Sequence, residues 1–277
     1  MNTTSPVSGQ PARPHLLITR PQPQAGEWVA RLQGLGCAAS ALPLLGISDA
    51  ADTAPVLAAW QSIARRAEGG EAQLAMVMFV SPSAVERFFA PRPAGQAWPA
   101  DLLACGTGPG TRAALQKCGV PENLLRTPPA SGGQFDSEAL WTLLRPQLHW
   151  QGRQALIVRG EGGRDWLAET LRLQGAEPRF VEAYRRTAPV WDAAGQALLQ
   201  QALAQPDRFC WLFSSSEAVG QLPALAPQAD WSRARALATH ARIAESARRL
   251  GLTELRLVSP SPEAVAAAAA DWPSEAD

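Results

Sequence analysis

QALIVRGEGGRDWLAETLRLQGAEPRFVEAYRRT, residues 154–187, reads as strand, turn, helix and strand. The apolar run Ala155–Val158 suits a buried strand, and Gly160-Glu161-Gly162-Gly163 supplies a turn. Leu167 and Leu171 then stand one helical turn apart before Gly175 stops the helix. A second extended run, Arg179–Tyr184, follows, and a right-handed crossover makes the two runs a parallel pair. The chain opens with the same unit. Residues 16–47, LLITRPQPQAGEWVARLQGLGCAASALPLLGI, repeat the strand that ends in arginine, the tryptophan of the helix and the closing glycine. Arg20 matches Arg159, Trp28 matches Trp166 and Gly36 matches Gly175, an offset of about 139 residues, close to half the 277-residue chain.

Two more units recur in the same order. Met76–Val80 is an apolar strand followed by the helix start SPSAVERFF, in which Ser81 can cap and Pro82 suits the first turn. Phe209–Phe213 is followed by SSSEAV, a serine cap with a glutamate behind it, and Phe79 to Phe213 is an offset of 134. Asp101–Cys105 leads through GTGPGT into a helix that stops at Gly119, and Arg235–Ala238 leads through THARI into one that stops at Gly251. Each half closes with a short extended run, a turn and a last helix, 136–145 or 262–270. After Leu45 the register loosens through GISDAADTAP, ahead of a helix from Pro55 to about Ala67. Alternating strands and helices in two halves imply an α/β protein with two doubly wound parallel sheets and ligands at the carboxyl ends of the strands. The halves can be divided in the middle of the chain, or the first unit can join the last two while the middle forms the other lobe. Periodicity does not separate these.

Composition narrows the functions available. Apolar residues make up 46 % of the chain, enough for a core in each lobe, and 25 basic residues balance 25 acidic ones. A net charge of zero supplies no global field for nucleic acid or an anionic membrane. No apolar run approaches the roughly 20 residues of a membrane span. The first 14 residues read as a loose tail without the basic and apolar segments of a leader. Cys37, Cys105, Cys118 and Cys210 have no metal or redox spacing and fit a reducing, cytoplasmic setting. His15, His149 and His240 are far apart, and there is no HExxH, GxSxG or GK[ST], so metal hydrolysis, a serine triad and a phosphate-binding loop all lack support.

The strand-to-helix turns are where chemistry can sit. Ser81, Ser83, Thr111, Ser214, Ser215 and the glycines at 108, 110, 160 and 162 are expected at helix N-termini, where free N–H groups favour a carboxylate or phosphate. Ordinary caps would look the same. Arg20 and Arg159 can fork onto a carboxylate or simply form surface ion pairs. His240 falls at another such turn, as ligand contact or as plain cap. Tyr184 is the only tyrosine, at the exit of the repeat unit. A phenol stays protonated at neutral pH, so it can donate a hydrogen bond to a leaving oxygen without bringing charge into the site.

FVSPSAVERFF, GPGTRAALQKCGV, the 154–187 stretch, FSSSEAV and THARIAESARRLG, in this order and spacing, resemble the uroporphyrinogen-III synthase family over about residues 14–270. The resemblance implies two flavodoxin-like lobes joined by a two-stranded linker. One lobe would be discontinuous, 15–45 plus 188–277, and the other, 46–187, inserted with the linker strands. It implies a cofactor-free hydro-lyase without a metal that closes hydroxymethylbilane, a linear tetrapyrrole with eight carboxylates, and inverts ring D through a spiro intermediate. Tyr184 matches the family tyrosine thought to hydrogen-bond the departing hydroxyl, and Thr111 a threonine facing the cleft. Ser81 and Ser83 match one serine turn, Ser214 and Ser215 the other; Arg20, Arg159 and Gly160 complete the expected substrate contacts. The chain departs from some relatives at Thr239-His240-Ala241-Arg242, where His240 or Arg242 would replace a hydroxyl contact. A monomer is implied, supplied by transient hand-off from hydroxymethylbilane synthase, with no nucleic acid or membrane partner. A non-catalytic bilobal tetrapyrrole-binding or sensor protein is the alternative.

Overall fold

The structure is a computed structural model that describes residues 13–67, 74–129 and 135–272. Of the expected tail only Arg13 and Pro14 lie among them. The chain forms two compact units: one takes the chain up to Gly46 and from Ala188 onward, the other Ile47–Thr187. In chain order the elements are β1 (His15–Ile18), α1 (Gln24–Gly34), β2 (Ala39–Ala41), β3 (Gly46–Asp49), α2 (Ala54–Ala67), β4 (Leu74–Phe79) and α3 (Pro82–Phe89). Then follow β5 (Leu103–Gly106), α4 (Pro109–Lys117), β6 (Leu125–Arg126), α5 (Ser137–Leu144), β7 (Gln154–Gly160), α6 (Trp166–Leu173) and β8 (Glu177–Thr187). The chain ends with α7 (Ala193–Ala204), β9 (Phe209–Phe213), α8 (Ser216–Leu225), β10 (Arg235–Ala238), α9 (Ala241–Arg249), β11 (Glu254–Leu257) and α10 (Pro262–Ala270).

Among the described residues the strands make one five-stranded sheet, in the order β11-β10-β9-β1-β2, and one six-stranded sheet, β3-β8-β7-β4-β5-β6. Apart from β3, the second sheet repeats the first strand for strand, with β8, β7, β4, β5 and β6 where the first has β2, β1, β9, β10 and β11. The registers also agree. Leu16 faces Ala39 and Ala155 faces Pro178, so both partners move by the same 139 residues (155 less 16, 178 less 39). Across the switch point Leu16 faces Cys210 and Ala155 faces Met76, a step of 134 residues between the second partners (210 less 76). The repeat read from sequence is thus a repeat of hydrogen-bond register.

Both faces of each sheet are buried, which is why the strands read as continuous apolar runs. In the first sheet Leu17, Trp211 and Phe213 pack on one side with α7, α8 and α9, while Leu16, Ile18 and Leu212 pack on the other with α1 and α10. In the second, Val77, Phe79 and Val158 face α2, α3 and α4, and Met76, Met78 and Ile157 face α5 and α6. Five aromatic rings, Trp60, Phe79, Phe88, Phe89 and Trp98, fill the α2–α3 side. The buried Trp60 indole N–H donates to the Phe88 carbonyl at 2.8 Å, which satisfies the one polar atom of that ring.

Two elements are absent from the reading of the sequence. Strand β3 forms from GISD, where Ile47 alone is apolar, because it lies beside β8 in the sheet. Helix α7, AAGQALLQQALA, buries only Leu199 and Ala202 and so has a weak apolar stripe; Asp192 starts it by accepting the Gly195 N–H at 2.8 Å.

Candidate functional site

In the Ile47–Thr187 unit, β4 and β7 are neighbours whose following helices cover opposite faces of the sheet. This is the topological switch point, where the carboxyl ends of the strands open a crevice. Ser81 follows β4 there and caps α3, its hydroxyl accepting the Ala84 N–H at 3.1 Å. Thr107 follows β5 and donates to the Val80 carbonyl at 3.3 Å. Tyr184 comes in from β8, and its hydroxyl lies 3.2 Å from Ser81 Oγ.

Tyr184 is only 3 % exposed and packs with Val181 and Ala183 on the side of the sheet covered by α2, α3 and α4. Strict alternation would send residue 184 to the other face if 181 and 183 point inward. The strand avoids this with an irregularity: Arg159 pairs with Glu182, but Gly160 pairs with Tyr184, leaving Ala183 as the extra residue of a bulge. The phenol ring then lies on the bare Cα of Gly160. The Glu161 N–H donates to the Tyr184 carbonyl at 2.9 Å and holds the strand ends together beyond the bulge. The Arg186 guanidinium stands 5.4 Å from the ring centroid and donates to the Glu161 carbonyl at 3.0 Å.

Other expected site residues fall differently. Gly160 is the last residue of β7, and α6 begins only at Trp166, so neither Gly160 nor Gly162 lies at a helix N-terminus. Gly108 is the N-cap of α4 and Gly110 its second residue, as expected. Thr111 and Ser83 lie in the first turns of α4 and α3 but are 3 % and 4 % exposed. A methyl at Gly106 would come within 2.7 Å of Thr111 Cγ2, so that threonine, too, sits on a strand-terminal glycine. Arg159 lies in the strand, donates to Asp165 at 2.6 Å, and stacks 3.6 Å from the centre of Phe180. Phe180 packs on the α5–α6 side of the sheet, the face opposite to Tyr184.

The other unit carries its own polar strand ends. Its switch point lies between β1 and β9, where the buried Thr19 hydroxyl donates to the Leu212 carbonyl at 2.6 Å. Arg20 follows β1, with its guanidinium 4.9 Å from the Trp28 ring. Ser214 and Ser215 follow β9, both half-buried, and Ser215 accepts the Ala218 N–H as cap of α8 at 3.3 Å. His240 caps α9, with Nδ1 accepting the Arg242 N–H at 3.1 Å, and the Arg242 side is exposed.

Arg186, over the ring of Tyr184, and Thr107, bonded to the Val80 carbonyl next to Ser81, are residues at these strand ends that sequence reasoning missed. Arg186 was visible in principle, since a residue two places along a strand shares its face with Tyr184. Thr107 sits inside GTGPGT, where the glycines drew attention away from the hydroxyl. Among the described residues no cluster of His, Cys, Asp and Glu could hold a metal, and no helix is long and apolar enough to cross a membrane.

Two doubly wound units with matched registers, each with a serine-capped helix N-terminus at its switch point, define a class: a two-unit α/β protein with parallel sheets. The comparisons make this particular. A model of the family described as uroporphyrinogen-III synthase HemD matches residues 26–267, and the chain belongs to that family. The uroporphyrinogen-III synthase of Salmonella typhimurium is 32 % identical over 249 residues, spanning 87 % of this chain and 94 % of that one. The Escherichia coli enzyme of that name is 33 % identical over 259 residues, with the same coverage of 87 % and 94 %. Solved structures share the fold: a mutant uroporphyrinogen III synthase of Thermus thermophilus superposes with a TM-score of 0.52 at 19 % identity, covering 89 % of this chain and 92 % of that one. The Helicobacter pylori synthetase gives 0.52 at 13 %, over 92 % and 98 %.

Proposed function

We propose that this chain is a uroporphyrinogen-III synthase, closing hydroxymethylbilane with loss of water and inversion of ring D, and that Tyr184 is its proton donor. The observation that carries the residue assignment is the 3.2 Å contact between Tyr184 and Ser81. Either hydroxyl can donate in that contact, and we give the bond's proton to Ser81, whose Oγ also accepts an N–H from the first turn of α3. With the Ser81 proton on the phenol oxygen, the Tyr184 O–H points to a ligand. The positive end of α3 polarises this chain of donors and stabilises negative charge that builds on the phenol oxygen.

The terminal C–O bond of the bilane breaks with its electron pair going to oxygen, which takes the Tyr184 proton and leaves as water. The pyrrole nitrogen supplies the replacing pair and releases its N–H proton, which restores the phenol and leaves an azafulvene. The substituted carbon of ring D attacks that azafulvene carbon to give the spiro intermediate, and fragmentation and reclosure invert the ring. Positioning carries most of the discrimination, since the free bilane closes unaided to the uninverted isomer I. The helix N-termini at Ser81, Gly108, Ser215 and His240 and the arginines Arg20 and Arg242 are the groups we assign to substrate carboxylates.

The finer reading is a cytoplasmic monomer that needs no cofactor; four free cysteines suit a reducing compartment. The test is to supply purified protein with freshly made hydroxymethylbilane, oxidise the products and separate the isomers by chromatography. Mainly isomer III without additives supports the proposal, and Tyr184→Phe should lower turnover by about 10²-fold while isomer III still forms. Isomer I alone, at the uncatalysed rate, would move the binding-protein reading to first place.

A further inference from the structure

The structure assigns Gly160 as a positioning residue: its missing side chain, together with the bulge at Ala183, is what sets the Tyr184 hydroxyl beside Ser81. The inference rests on the reading of Tyr184 as proton donor and deepens it.

Gly160 is not required by its backbone, for it is not among the glycines with positive φ. The constraint is space. A Cβ at this position would stand 2.6 Å from Tyr184 Cε2, 2.8 Å from Cζ and 3.1 Å from Cδ2, where ordinary contact begins at 3.4 Å. Those three atoms are the edge of the ring next to the hydroxyl, so the collision falls on the part of the side chain that carries the chemistry. To restore contact at 3.4 Å the ring must retreat by about 0.8 Å, the difference between 3.4 and 2.6. Tyr184 is packed within the core cluster of Phe79, Val85, Phe88 and Val158, which limits where it can go. A hydroxyl already 3.2 Å from Ser81 loses that bond when displaced by such a distance.

The bulge and the glycine are complementary. The bulge turns Tyr184 onto the α2–α3–α4 face and pairs it directly with Gly160, and glycine alone leaves the cross-strand partner without a side chain on that face. Residues on β8 before the bulge have no such partner requirement: Val181 faces Val158.

The experiment compares Gly160→Ala, Tyr184→Phe and the double variant in single-turnover and steady-state assays with hydroxymethylbilane. Gly160→Ala should lower kcat about ten- to a hundredfold, with KM within about twofold, because a displacement of this size acts on alignment. Once the hydroxyl is gone its placement no longer matters, so the double variant should match Tyr184→Phe alone. Losses that multiply in the double variant would overturn the inference, as would full activity in Gly160→Ala. If Tyr184→Phe itself keeps full turnover, the proton-donor reading fails instead.

A second measurement covers the case in which Gly160→Ala folds poorly. Thermal melts of Gly160→Ala are compared in the wild-type and Tyr184→Ala backgrounds. Removing the ring should abolish the melting penalty of the added methyl. A penalty of equal size in both backgrounds would show that the methyl collides with something other than Tyr184 and would overturn the assignment.

Discussion

Ser81 and Ser215 form a control pair supplied by the internal repeat. They are 134 residues apart in matching positions, each is an N-cap, and each accepts an N–H three residues on, from Ala84 at 3.1 Å and Ala218 at 3.3 Å. Only Ser81 has the further bond to Tyr184. Alanine at either position removes a cap, at a cost of about 1 kcal/mol within a range of roughly 0.5–2. Ser81→Ala also leaves the phenol oxygen of a ring that is 3 % exposed without its hydrogen-bond partner, which adds about 1–2 kcal/mol. Ser81→Ala should therefore cost about 2–3 kcal/mol and Ser215→Ala about 1. The two units need not unfold together, so a single melting curve would blur the comparison. Native-state hydrogen exchange read by mass spectrometry resolves it, with peptides from β4–α3 reporting one unit and peptides from β9–α8 the other. The decisive arm repeats Ser81→Ala in a Tyr184→Phe background. With no phenol to strand, its cost should fall to that of Ser215→Ala. An excess that survives there would show that the Ser81–Tyr184 bond is not its source, and equal costs in the wild-type background would refute the reasoning outright.

Two other predictions concern titrating groups outside the site. Burial pushes the thiols of Cys105 and Cys210 up to about 12, so at pH 8 neither should react with iodoacetamide in the native protein, whereas both should in urea; labelling of either as fast as the half-buried Cys118 would refute this. Burial lowers the pKa of His15 below its ordinary 6.5. The unfolded chain then binds the proton first as pH falls, so the stability this neutral histidine allows is full above about 6.5 and declines below it until the native value is passed. Urea midpoints at pH 8 and pH 5 should drop further in the wild type than in His15→Gln, and equal drops would remove the effect.

What could be read in advance follows from what leaves a trace in residue types. Strands buried on both faces leave apolar runs such as Met76–Val80 and Phe209–Phe213, and the serines and glycines at their ends mark where helices begin. Which strands share a sheet left no trace, because each unit of the repeat offers the same apolar edge to either neighbour. Strand β3 was invisible for a related reason: its extended form comes from pairing beside β8, and GISD has almost no pattern of its own. Arg159 and Arg20 looked equivalent in sequence, yet Asp165 and Phe180 hold the first and Trp28 faces the second. Partners brought in from six or more residues away are a tertiary property. The same is true of Gly160, which a turn explains well enough until the ring of Tyr184 is in place.

The departures from the repeat gather around Tyr184, the proposed proton donor. At an offset of 139, Gly160 corresponds to Pro21 and Tyr184 to Leu45. Leu45 is buried in the core of its unit and carries no polar atom, and β2 has three residues where β8 has eleven. The two sheets otherwise agree in strand order and register, so the phenol is a departure from the repeat. It depends on three local differences in one unit: a longer strand, a bulge that turns residue 184 inward, and a glycine that leaves room for it. Each helix N-terminus has a counterpart in the other unit and suits binding of a substrate with many carboxylates. The hydroxyl of Tyr184, which we propose as the proton donor, has none, because Leu45 stands in the matching place.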